Sequence, residues 1–115
     1  MAEYLVLIYG DESAMDDAAP EEMGKMNEGH RAFAQKHGAA IRGGNALQAS
    51  GTATTIRSDG VGGFTITDGA FAETKEALGG YYLLEAADLD VAIAMAKEIP
   101  APNGGVEVRP IRPID

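Results

Sequence analysis

The chain has 115 residues, 45% of them hydrophobic, and a net charge of −9, the size and balance of one globular domain rather than a disordered or fibrous chain. It contains no cysteine, which removes disulfides, thiolate metal sites and cysteine nucleophiles from consideration. Residues 1–28 carry eight acidic side chains (Glu3, Asp11, Glu12, Asp16, Asp17, Glu21, Glu22, Glu28) against Lys25 alone, a field that repels a phosphate backbone and argues against direct nucleic-acid binding.

The segment "EYLVLIYG" predicts a strand closed by the turn-like cluster "GDES". Its six-residue apolar run follows Glu3 instead of a basic region, so no signal peptide is expected, and no stretch approaches the roughly 20 apolar residues of a membrane span. The expectation is a soluble, cytoplasmic protein. Pro20, Glu21 and Glu22 suit the first turn of a helix, where a missing donor costs nothing and acidic groups meet the positive dipole end. Met23, Met26, His30, Phe33, Ala34 and His37 then recur at helical spacing, and Gly38 marks a stop. "AAIRGGNAL" reads as a second strand and "TATTIRS" as a third, with Asp59-Gly60 a hairpin turn into "GGFTIT". In "TDGAFAETKEALGGYY" a turn at Asp68-Gly69 precedes one helical turn over residues 73–76, and Gly79-Gly80 leads into the strand "YYLLEA". Asp88 is a good N-cap for a helix with Leu89, Ala92, Ile93, Ala96 and Ile99 on one face, Pro100 and Pro102 stop it, and "GGVEVRPI" closes the chain as a strand.

This order predicts a single domain over residues 1–115 of the α+β class, a ferredoxin-like βαββαβ sandwich with an extra hairpin strand. Two helices cover only one face of such a sheet, yet the first strand is apolar on both: Tyr4, Val6 and Ile8 on one, Leu5, Leu7 and Tyr9 on the other. Loops could cover the second face. The more economical cover is a second copy, giving a homodimer packed sheet to sheet.

"LIYGDE", "GHRAFAQKHGA", "TDGAFAETKEALGGYYLLEAADLDVAIAMAKEIP" and "VEVRPI" resemble the YCII-related proteins nearly end to end, and within them the branch named for an Asp-Gly-Pro-Phe motif. The motif's proline is Ala70 here, so the turn is expected to be looser, since proline fixes its own φ and biases the residue before it. The resemblance implies a dimeric α/β barrel, likeness to a muconate dehydrochlorinase, chemistry through a His-Asp pair, and genes beside those of extracytoplasmic-function sigma factors.

By that resemblance His30 matches the family's helix histidine, and Asp68 is the candidate acid; together they would form a general acid-base pair. From the residues alone, a histidine in an apolar stripe is as readily a core group bonded to backbone. Gly69, Phe71, Thr74, Lys75, Glu76 and Tyr81 are candidates for a ligand cleft, Lys75 attracting an anionic group, Tyr81 forming a wall and Phe71 anchored in the core. Arg109 could bind a carboxylate or reach across a dimer. His37, seven residues after His30, is about 10 Å along the helix, too far to share an ion, so neither a metal nor a cofactor is expected. The two readings are a small enzyme acting on an anionic metabolite, and a non-catalytic ligand-binding or regulatory module with a protein partner.

Overall fold

The computed structural model describes residues 1–72 and 74–114. Strand β1 (Ala2–Asp11) runs straight into a short helix α1 (Glu12–Asp16), because the Asp11 carboxylate accepts hydrogen bonds from the backbone N–H groups of Ser13 at 3.0 Å and Ala14 at 3.4 Å. The cluster expected to be only a turn is therefore a capped helix start. Helix α2 (Pro20–His37) has Pro20 and two acids in its first turn and Lys36 and His37 in its last, matching charge to the dipole at both ends. Strand β2 (Ile41–Ala46) and a 3-10 turn (Ser50–Thr52) lead to the hairpin of β3 (Thr54–Ser58) and β4 (Phe64–Asp68). Strand β5 (Glu76–Ala86), helix α3 (Leu89–Ala96), N-capped by Asp88 on the N–H of Val91 at 2.9 Å, and strand β6 (Gly104–Pro110) complete the chain.

Among the described residues the strands form two antiparallel sheets, one ordered β2-β5-β1-β6 and one made of β3 and β4 alone. This is an α+β architecture. The four-stranded sheet is open, so one chain by itself closes no barrel. Strand β5 starts earlier than the sequence suggested: Glu76 already pairs with Asp11, and a register shift between Ile8 and Tyr9 takes up Gly79 inside the strand. The helical turn expected over residues 73–76 is not formed by its described part, since Glu76 belongs to β5; Glu73 lies outside the described residues. Gly44 lets β2 lie close to β5, because a Cβ there would stand 2.8 Å from the carbonyl oxygen of Tyr81.

The core fills one face of the large sheet. Val6 and Leu84 are fully buried, with Tyr4 and Ala86 beside them, and Phe33 of α2, Ala92, Met95 and Ala96 of α3 and Ile99 pack onto them. Period-two alternation sends Leu5, Leu7, Tyr81 and Leu83 to the opposite face, where they remain part exposed. Leu5 sits beside Leu83 and Leu7 beside Tyr81, with Arg109 and Glu107 flanking them on β6. The β3–β4 hairpin stands apart as an arm whose Ile56, Phe64 and Ile66 are 60%, 69% and 68% exposed. No helix among the described residues is long and apolar enough to cross a membrane.

Candidate functional site

A cleft of about 720 Å³ opens between α1 and α2 on one side and the ends of β1, β2 and β5 on the other. Helix α2 turns its methionines inward: burial of Phe33 fixes the rotation of the helix, and Met26, His30 and Ala34 follow it onto the cleft wall at helical spacing. The stripe that the sequence read as core is thus mainly cleft lining, with Phe33 the buried member.

His30 is half-buried, and its Nδ1 lies 2.7 Å from the hydroxyl oxygen of Tyr82. Tyr82 shares the pleat of Leu84, so its ring leans toward α2, where it packs on Phe33 with centroids 4.9 Å apart. Burial pushes the His30 imidazole below its ordinary value and the Tyr82 phenol above its own, the neutral form being favoured in each case. At neutral pH the pair is therefore an uncharged imidazole and a protonated phenol. Among the described residues Nε2 of His30 has no hydrogen-bond partner. With Nδ1–H donating to the phenol oxygen, Nε2 offers a lone pair to a ligand; with the phenol donating to Nδ1, Nε2–H is a donor. One ring can thus take or give a proton, held in place by Tyr82.

The rim is pinned by a second contact. Glu12, at the start of α1, accepts from the backbone N–H of Ser50 at 2.7 Å and from the Ser50 hydroxyl, and the hydroxyl bond in first place, then the N–H, lowers its carboxyl below the usual range. This ties α1 to the loop of residues 47–49, which forms part of the wall. Arg31 and Asp16 also line the cleft, and Asn45 donates to the Tyr81 hydroxyl at 2.9 Å.

Of the residues singled out from sequence, His30 lies on this wall; Tyr81 also borders the cleft, although period-two alternation turns it to the opposite face of the sheet. Asp68 is exposed at the end of β4, opposite Thr54 on the arm, and so belongs to a different sheet from Tyr82. Gly69 has φ +105°, a conformation side chains rarely adopt, and closes the arm's base by donating to Ala53 at 2.7 Å while its carbonyl accepts from the Thr55 hydroxyl at 2.7 Å. Phe71 is not a core anchor: it is 65% exposed, with the Arg57 guanidinium 3.9 Å above its ring. The Thr74 hydroxyl donates to the carbonyl of Glu76, Lys75 adds the smallest contribution to lowering the Asp11 carboxyl, behind the hydrogen bond from the Ser13 hydroxyl and those from the backbone N–H groups of Ala14 and Ser13, and Glu76 is in β5; none of the three is on the cleft wall. Arg109 is on exposed β6, 3.2 Å from Glu107. His37, at the C-terminal end of α2, pairs with Glu98 at 2.7 Å. Among the described residues no group of three His, Asp or Glu is placed to hold a metal ion.

Tyr82, Glu12 and Arg31 escaped the sequence reading. For Tyr82 the signal was present: it shares the parity of Leu84, so any strand burying Leu84 on the helix side must also turn Tyr82 toward α2. Glu12 and Arg31 gave no such signal, because their places depend on how α1 and α2 are set against the sheet.

The YCII-related domain family matches this chain over residues 2–115. An uncharacterised protein of Rhizobium meliloti (strain 1021) is 36% identical over 113 residues, covering 94% of this chain and 90% of that protein.

Proposed function

The chain belongs to the YCII-related domain family, and we propose that its cleft takes a small, largely apolar molecule on which His30 acts as general acid or base, with Tyr82 holding the ring. The observation that carries this reading is the 2.7 Å contact between His30 and Tyr82 on the wall of a cleft of about 720 Å³, a volume within the range of small-molecule sites. A positioned imidazole of this kind contributes about 10²–10⁴-fold in rate. Recognition of an anionic group on the ligand falls to Arg31, the cation on the wall, rather than to Lys75.

The functional unit in this reading is a ferredoxin-like homodimer of the Asp-Gly-Pro-Phe branch. The strand order β2-β5-β1-β6 with helices on one face supports the fold, the apolar open face built from Leu5, Leu7, Tyr81 and Leu83 supports the second copy, and the motif residues Asp68, Gly69 and Phe71 support the branch.

The test is a thermal-shift screen of small aromatic and aliphatic carboxylic acids on the wild type, His30→Asn and Tyr82→Phe, followed by turnover assays on each hit. A ligand whose stabilisation is lost in His30→Asn places it in this cleft, and turnover that falls at least 10-fold in Tyr82→Phe supports the acid-base role. Binding with no turnover would reduce the site to a binding module. Hits indifferent to both substitutions would refute the cleft as the site.

A further inference from the structure

The sheet side of the cleft carries little side chain. On the helix-facing pleat the row next to Tyr82 is Ile8, Gly80 and Ala46, and beyond it Gly10 pairs with Ala77; all five border the cleft. Gly80 has to stay bare, because a Cβ there would stand 3.0 Å from the carbonyl oxygen of Asn45. Tyr82 fills the space between sheet and α2, and one row further on these small residues leave it open. The result is a slot floored largely by backbone, with the His30–Tyr82 pair at one end.

The helix side of the slot is rich in sulfur. The chain has five methionines. Met95 is in the core and Met1 is 90% exposed at the terminus, whereas Met15, Met23 and Met26 all face this cleft and all stay part exposed. Met23 and Met26 are three apart on α2 and Met26 is four before His30, so they stack along one helix face with the imidazole, while Met15 comes from α1. Branched aliphatic side chains would exclude water equally well. Thioethers add two properties: an unbranched side chain that adapts to the shape laid against it, and a polarisable sulfur attracted to the edge of an aromatic ring. A backbone floor under a polarisable roof favours a planar π-system over a puckered aliphatic body of similar size.

We propose that the ligand of this cleft is aromatic, its ring lying over Gly80 and beneath Met15, Met23 and Met26, with one edge turned to Nε2 of His30. The inference rests on the cleft reading above and names the class of molecule that the cleft takes.

The test is an NMR titration of the full chain, isotope-labelled at its methionine methyls, with benzoate and with cyclohexanecarboxylate. The two acids match in charge and approximate size and differ in planarity and π-electrons. The expected result is a preference of about 10-fold for benzoate, with the methyl resonances of Met15, Met23 and Met26 displaced by its ring current and those of Met1 and Met95 unmoved. In Met23→Leu/Met26→Leu, which keeps volume and apolarity and removes two sulfurs, the preference should fall to about twofold, with cyclohexanecarboxylate bound as in the wild type. Equal affinity of the wild type for both acids, or a preference that survives Met23→Leu/Met26→Leu, overturns the aromatic assignment and leaves the cleft standing as the binding site. Methyls of Met15, Met23 and Met26 that respond to neither acid overturn the cleft reading and this inference together.

Discussion

The four-stranded sheet and the arm are built from similar residues and end in opposite circumstances. In the sheet, Tyr4, Val6 and Leu84 vanish beneath Phe33, Met95 and Ile99; in the arm, Ile56, Phe64 and Ile66 stand mostly in solvent. Both regions are rich in β-formers, and both have well-made backbone hydrogen bonding. What differs is whether the chain supplies a helix to cover the pleat. Strand propensity is a fit to a half-buried surface, and it is satisfied within the chain only for the body. The cleft sits where this cover thins, along α2 between Met23 and Ala34, so His30 stays part exposed while Phe33, less than one turn on, is sealed.

That contrast can be broken most forcefully in the body. Leu84→Ala removes a fully buried side chain and should cost about 3 kcal/mol in urea unfolding. A cost near zero would mean that the core is not where the structure puts it. Asp88→Ala deletes the cap of α3 and should cost about 1 kcal/mol, read by the same unfolding curves. At the base of the arm, Gly69→Ala forces a side chain into φ +105° and should cost about 1 kcal/mol; an unchanged midpoint would indicate that this turn adopts another conformation. Thr65→Ala, on the polar face of the arm, should move the midpoint by less than about 0.5 kcal/mol.

The smallest expected effect concerns pH. His30 in the folded chain holds its proton less readily than the ordinary imidazole at 6.5, so the unfolded chain takes up the proton first, and stability declines as pH falls below that value. Tyr82 holds its proton more tightly than the ordinary phenol at 10.0, so stability also declines as pH rises past that value. Unfolding free energies measured across pH should therefore show the acid limb shallower in His30→Gln and the alkaline limb shallower in Tyr82→Phe. Limbs identical to wild type would place these groups in ordinary solvent.

Local chemistry read correctly in the one-dimensional sequence includes the start of α2 at Pro20, the cap at Asp88 and the hairpin turn at Asp59-Gly60. Each depends on residues within a few positions of one another. The extent of β5 was misread because two glycines look like a break until the register shift against β1 is seen. Phe71 was misread because hydrophobicity says that a ring seeks cover without saying which cover, and Arg57 provides it at the surface. His30 was found, but its partner in the same chain, Tyr82, was not, since that contact spans 52 positions.

The sequence by itself determined the element types, the apolar character of both faces of β1 and the helix position of the histidine, because periodicity and capping act over a single turn or pleat. Tertiary structure alone decided that Tyr82 meets that histidine, that Glu12 holds the cleft rim through Ser50, and that Asp68 rides on a separate arm. Those outcomes depend on which strands pair and in what register, and pairing across tens of residues is settled by burial of the whole core rather than by any local pattern.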